Sequence, residues 1–161
     1  MHSPFLNGDD PAPDQDSTSE SVPLLRSTEA VAEAIADGAI VGVWTGKAEV
    51  GPRALGHRSL LARPDSVPLR RRLSEDIKRR EWYRPVAPMM LPEVAQESLA
   101  GYRGPSALSR YMFGAWPIAP DMAPAFEGCI HADRTVRAQV VEPDLSDLGH
   151  IRELLLLLRD R

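Results

Sequence analysis

The stretch from Gly46 to Pro88 gathers positive charge on a backbone that glycine and proline interrupt at close intervals, and this limits what the chain can build there. It begins Gly46-Lys47-Ala48-Glu49-Val50-Gly51-Pro52-Arg53-Ala54-Leu55-Gly56-His57-Arg58-Ser59 and ends Lys78-Arg79-Arg80-Glu81-Trp82-Tyr83-Arg84-Pro85-Val86-Ala87-Pro88. Between Lys47 and Arg84 eleven Lys or Arg stand against five Asp or Glu, about +6 within a chain of formal charge −4. Residues 1–37 hold eight acids and one Arg, and residues 85–161 hold ten acids and seven Arg. Gly51-Pro52 and Gly56 force a compact turn, and Pro85 and Pro88 stiffen the chain beyond the second cationic cluster. A cationic band in an otherwise acidic protein is the pattern expected where a phosphorylated small molecule is held.

At 161 residues the chain fits one domain with a modest core. A lone cysteine, Cys129, forms no internal disulfide and offers no metal-type spacing, so a reducing, cytoplasmic home is expected. The N-terminus lacks the charged-then-apolar pattern of a signal peptide. The longest apolar run, Leu154 to Leu158, falls far short of the roughly 20 residues of a membrane span. Overall acidity excludes general nucleic-acid binding. Seventeen of the nineteen basic residues are Arg, a habit of GC-rich genomes that points to a bacterial source.

Residues 1–26 are rich in Pro, Asp, Ser and Thr and are read as a disordered tail, with the folded domain spanning 27–161. Ser27 caps a helix over 28–37 with Val31, Ala34 and Ile35 as its buried stripe and Gly38 closing it. Residues 39–45 read as a strand buried on both faces, and 59–62 as a second strand after the compact turn. Pro68 opens a helix reaching Arg79, with Leu69, Leu73 and Ile77 along one side and the arginines at 70, 71 and 72 spread around it. Strands are expected at 89–91, 110–116, 128–131 and 135–141, a short helix begins at Pro92, 103–107 is a loop, and Asp147 caps a last helix over 148–159. This alternation implies an α/β (α+β) domain around one central sheet.

The glycine-flanked turn offers tight backbone and exposed N–H groups suited to an anion. Arg53 and Arg58, five residues apart, are placed for a turn to aim both at one phosphate, and Arg supplies the bidentate geometry for it. Lys78, Arg80 and Arg84 form a second cluster, made rigid by the prolines that follow. Trp82 and Tyr83 add surface on which an adenine or a guanidinium can stack. Each feature has a plainer reading: an arginine-rich segment is most often a solvated face, aromatic residues are more often core, and His57 and His131 suit structural hydrogen bonding. Composition and spacing alone end at a phosphate site without a named ligand. No Ser–His–Asp order or carboxylate pair marks a nucleophile or an acid–base dyad.

The literal strings carry further. Residues Glu49 to Ala62 resemble the signature of the C-terminal domain of O-carbamoyltransferases, the family of antibiotic and nodulation-factor carbamoyltransferases. Residues Lys78 to Pro88 are similar to its second signature, His131 to Val141 to a third, and Ser109-Arg110-Tyr111-Met112 to an element between them; the resemblance covers 39–141. It implies a YrdC-like fold, a twisted mixed sheet flanked by helices, that binds ATP with Mg²⁺ and carbamoyl phosphate and makes carbamoyl adenylate with loss of pyrophosphate. A Kae1-like domain then transfers the carbamoyl group to a hydroxyl acceptor. By motif position, Arg53 and Lys78 would be catalytic, with Arg58, Arg80, Arg84 and Arg137 completing the ATP and carbamoyl phosphate pocket.

The departures from the family pattern set further expectations. The Kae1-like half and its iron ligands are missing, so the chain would act as a stand-alone component with a Kae1-like partner. Natural-product biosynthesis is the implied setting. The chain ends before an Asn-Thr-Ser-Phe-Asn stretch that the family carries next, so the domain is expected to be incomplete at its C-terminus. Arg134 stands where the family has Gly, and His57 where Asn is common. Two other readings of the same motifs are a non-catalytic nucleotide- or phosphate-binding module and an inactive remnant.

Overall fold

Ser27 opens the first helix, α1 (Thr28–Ala36), its hydroxyl accepting from the Ala30 N–H at 3.2 Å. Gly38, at φ +89°, turns the chain out of it. This is the computed structural model of the chain, in which residues 6–8, 25–84 and 86–159 are described. Most of the tail expected over 1–26 therefore lies outside the described residues, although Leu6–Gly8 forms a three-residue strand, β1. Ala32 and Ile35 of α1 are buried and Val31 is half-buried. They pack against Leu154 of α5 (Gly149–Arg159).

After α1 the chain forms β2 (Val41–Trp44), β3 (Ala48–Val50) and β4 (Arg58–Leu61). β2 pairs antiparallel with β4, Val41 opposite Leu61 and Trp44 opposite Arg58, and β1 pairs antiparallel with β3. The strand expected to be buried on both faces is half-exposed instead: Trp44 is 62% exposed. What shields it is the Arg58 guanidinium, 4.1 Å above its ring.

The helix expected from Pro68 is shorter and changes character. α2 (Val67–Arg71), capped by Ser66, runs into a π-helical turn at Arg72–Ile77. The wider turn disturbs the spacing of four on which the stripe was read, so Leu73 is buried while Ile77 is 46% exposed. Then come β5 (Met89–Met90), α3 (Pro92–Ser98), α4 (Ala107–Arg110), β6 (Trp116–Pro117), a 3₁₀ segment at Ala123–Cys129, β7 (Thr135–Val136), β8 (Gln139–Val140) and a 3₁₀ turn at Ser146–Leu148 before α5.

The mixed α/β class holds, but the single sheet does not: the described strands form four two-stranded ladders. β5–β8 is parallel and β6–β7 antiparallel. Prolines at 88, 92, 117 and 143 bracket or interrupt the later strands, and each removes a ladder donor. The strand expected at 110–116 is mostly absent because a capping box, Ser106 with Ser109, starts α4 upstream of it. The one expected at 128–131 begins inside the 3₁₀ segment, and 135–141 splits into β7 and β8. Asp147 sits within the 3₁₀ turn rather than capping the last helix.

The main core lies around the β5–β8 ladder, where Met90, Ala95, Val136, Ala138 and Val140 are at most 2% exposed. Each large side chain so buried contributes about 1.5–3 kcal/mol. Gly56 marks where the signature turn meets a second apolar cluster, that of Val141, Leu148 and Ile151. It has φ +128°, and a methyl group there would lie 2.8 Å from Leu148 Cδ2 and 3.0 Å from Ile151 Cγ1, both in buried side chains.

Two substitutions test this backbone geometry by thermal or urea unfolding. Gly56→Ala is expected to cost about 1–3 kcal/mol, from left-handed strain and overpacking. Arg134 holds φ +64°, so Arg134→Gly should stabilise by about 0.5–1 kcal/mol.

Candidate functional site

The turn between β3 and β4 is held from both sides before any ligand is considered. On one side the Glu49 carboxylate accepts from the Leu55 N–H at 2.9 Å and the Arg58 N–H at 3.0 Å, while the Gly56 N–H donates to Ser59 Oγ at 3.0 Å. On the other, the buried Gln139 amide donates to the Leu55 carbonyl at 2.8 Å, and His150 Nε2 lies 3.0 Å from the Gly56 carbonyl. Three N–H groups of the turn expected to be open to an anion, those of Leu55, Gly56 and Arg58, are therefore already taken by the protein's own acceptors. What the turn offers outward is the Arg53 side chain, whose guanidinium stacks on Phe113 at 4.9 Å.

Arg53, Lys78, Arg80, Arg84 and Arg137 line one cleft of about 1060 Å³. They reach it from three separate stretches: the turn, the segment after the π-helical turn, and the link between β7 and β8. Arg70 joins them from α2, one of three consecutive arginines that helical spacing spreads around that helix and the one standing three residues before the buried Leu73. Asp65 is the one acid on the wall among the described residues, and it is paired with Arg63. Arg84 is held by Glu81 at 2.8 Å, and Arg80 donates to Ser74 Oγ at 3.2 Å. Among the described residues no carboxylate pairs with Arg53, Arg70, Lys78 or Arg137, and Arg137 Nε is buried without a hydrogen-bond partner. The cleft thus carries cations with unmet hydrogen-bonding capacity, which is what a polyanionic ligand would satisfy.

Arg58 is not on this wall. Its Nη1 donates to the Thr45 carbonyl at 2.7 Å and to the His57 carbonyl at 3.0 Å, and its Nη2 to the Gly46 carbonyl at 3.3 Å. Spacing of five did not decide its direction because β4 has already begun at Arg58, and cross-strand pairing with Trp44 turns the side chain to the opposite face. It braces the site and does not reach into it. Trp82 and Tyr83, for which a core position was the more usual outcome, are 68% and 65% exposed and meet edge to face at 6.0 Å between ring centroids. They stand between Arg80 and Arg84, two residues of the cleft wall.

The titratable groups favour electrostatics over nucleophilic chemistry. Burial, with Arg80 adding repulsion, lowers the Lys78 pKa below the ordinary lysine value although the side chain reaches solvent. Burial pushes the Cys129 thiol, also on the cleft wall, up to about 12, too high for a nucleophile at neutral pH. Burial, helped by the nearby Arg137 and Arg70 and opposed by Asp133, lowers the His131 pKa below the ordinary histidine value. Among the described residues no cluster of three or more His, Cys, Asp or Glu could hold a metal, and no helix is long and apolar enough to cross a membrane.

Fold and site together describe a small α/β domain whose three sequence signatures converge on a cation-lined cleft. The sequence matches the family described as "Carbamoyltransferase C-terminus" over residues 32–156, and the chain belongs to that family. It is 37% identical over 117 residues to the nodulation protein NolNO of Sinorhizobium fredii, covering 71% of this chain and 17% of that protein. It is 33% identical over 138 residues to the nodulation protein U of Bradyrhizobium diazoefficiens, covering 86% and 22%. With the 3'-hydroxymethylcephem-O-carbamoyltransferase of Streptomyces clavuligerus it shares 50% identity over 70 residues, 44% of this chain and 13% of that enzyme. The matched region is therefore no more than about a fifth of the length of these relatives.

Lys78 predicts a pH dependence. Its folded-state pKa lies below the unfolded value, so in the alkaline window between the two the unfolded chain binds more protons, and stability rises with pH there. Anion affinity runs the other way and is lost as the ammonium deprotonates. Pyrophosphate titrations by calorimetry should show binding fall at a midpoint below 10.5, and Arg80→Gln should move that midpoint upward.

Proposed function

We propose that this chain is the YrdC-like component of a carbamoyltransferase, binding ATP and carbamoyl phosphate to form or hold carbamoyl adenylate for transfer to a hydroxyl acceptor. The observation that carries this reading is the meeting of Arg53, Lys78, Arg80, Arg84 and Arg137, drawn from three family signatures, on the wall of a single cleft. In adenylation the carbamate oxygen, freed when carbamoyl phosphate yields its phosphate to water, attacks the α-phosphorus of ATP. The bond to pyrophosphate breaks as this new bond forms. Charge accumulates on the phosphoryl oxygens and the leaving group, so preorganised cations lower the barrier without a side-chain nucleophile.

Arg53 and Lys78 take the catalytic role, facing the developing charge. Arg80, Arg84 and Arg137 grip the remaining phosphates, and Arg70 joins them. Mg²⁺ would arrive on the nucleotide, since phosphate oxygens supply its ligands. Trp82 and Tyr83 offer an exposed aromatic face for the adenine. The acceptor hydroxyl and the iron-dependent transfer belong to a Kae1-like partner, and natural-product biosynthesis is the setting in which such a pair would work.

ATP–pyrophosphate exchange that depends on carbamoyl phosphate is the expected activity, measured with and without a candidate Kae1-like partner. Arg53→Ala and Lys78→Ala should each lower it by about 10²-fold or more. No exchange in wild type with the partner present would overturn the catalytic reading; ATP binding without turnover would then identify a binding module. Trp82→Ala should weaken ATP by roughly tenfold through lost stacking, about 1–3 kcal/mol. It should leave pyrophosphate affinity unchanged, and equal losses for both ligands would rule out base stacking.

A further inference from the structure

We infer that Glu49 is a positioning residue of the anion site: its carboxylate is a built-in anion that takes the Leu55 and Arg58 N–H groups of the turn carrying Arg53 and so fixes where that side chain starts. The inference rests on the reading of the cleft as a phosphate site and goes beyond it by assigning a role to a residue outside the cleft wall.

Its basis is the arrangement around residues 55–58. Glu49 Oε1 takes the Leu55 N–H and Oε2 the Arg58 N–H, at 2.9 and 3.0 Å, so both carboxylate oxygens are committed. These bonds reach six and nine residues along the chain and close a loop that glycine at 51 and 56 would otherwise leave free to open. Paired backbone N–H groups in a glycine-rich turn attract an anion, and a carboxylate already in place excludes an external one. Charge-assisted bonds of this kind are about twice as strong as neutral ones.

The carbonyl edge of the same turn is fastened by Gln139 at Leu55 and by His150 at Gly56. Arg53 lies two residues before this clamp, and its guanidinium is steadied by Phe113. The base of the Arg53 side chain is thereby set from the β3 end of the turn and its tip from the loop beyond α4. Releasing Glu49 frees the base, and the guanidinium loses the fixed approach on which bidentate recognition depends. Glu49 itself is neither a base nor a metal ligand in this arrangement.

The experiment uses the full chain and pyrophosphate as probe. Glu49→Ala is expected to weaken pyrophosphate binding by about tenfold, the scale of one lost charged hydrogen bond. Formate, a carboxylate small enough to enter the vacated cradle, should restore most of that loss and raise the melting temperature of Glu49→Ala but not of wild type. Glu49→Gln keeps the volume but turns one acceptor into an NH₂ that faces a donor; it should lose roughly threefold and provides the measurement should the alanine variant not fold. In an Arg53→Ala background Glu49→Ala should add nothing, because its effect passes through Arg53.

Full pyrophosphate affinity in both Glu49 variants would overturn the inference. So would additive losses in the Arg53→Ala background, or a folded Glu49→Ala protein whose lost affinity formate does not restore. If wild type binds no pyrophosphate, the phosphate-site reading fails by itself, and a formate-dependent rise in the melting temperature of Glu49→Ala still reads the cradle.

Discussion

The side chain of Gln139 joins the three motifs that make this site. It is 1% exposed and donates to the Leu55 carbonyl, 84 residues away, while its own backbone N–H donates to the Pro88 carbonyl at 2.9 Å. The turn, the Lys78–Pro88 segment and β8 thus meet at one buried residue. A hydrogen bond in this setting is worth only about 1 kcal/mol net, but leaving the Leu55 carbonyl or the amide unpaired costs about 1–3 kcal/mol. Alternative placements of the turn are disfavoured on that scale. Gly56 adds a steric condition, since its missing side chain is the space that Leu148 and Ile151 use.

On this frame the protein concentrates charge that does not help it fold. Arg80 and Lys78 repel each other, burial lowers both pKa values, and Arg137 keeps a buried Nε without a partner. Elsewhere the chain settles its charges. Arg110 bridges Glu142 at 2.7 Å and Asp144 at 2.6 Å, with Glu142 only 2% exposed. That contrast supports the reading of the cleft as an anion site: Arg53, Arg70, Lys78 and Arg137 have no carboxylate partner among the described residues.

Much of the local structure was legible because short-range chemistry decides it. Ser27 caps α1, Pro92 starts α3, and strands form at 41–44 and 58–61, where 39–45 and 59–62 were read as strands. The misreadings have specific causes. The π-helical turn at 72–77 broke a helical period that looked regular, and prolines divided what patterning alone joined into one sheet. At 110–116 the strand reading overlooked the Ser106–Ser109 capping box just upstream, which starts α4. Within the site, Arg53, Lys78, Arg80, Arg84 and Arg137 could be chosen from the motifs, whereas Arg58 could not be excluded and Glu49, Arg70 and Phe113 were missed. Direction was the missing quantity, because spacing says how far apart two side chains are along the chain and not which face each takes.

The sequence by itself determined the family, the cationic band and the residue types suited to phosphate, since these reside in the order of residues and their charges. Tertiary structure alone decided which cations share a cleft and which brace it. Arg137 joins Arg53 only because β8 lies beside β5 and Gln139 draws the turn to it, a contact across more than eighty residues. It also decided that the Leu55 and Arg58 amides are taken within the chain, because Glu49 folds back onto them. Bonds of that kind depend on where the chain returns in space, which no local pattern of residues specifies.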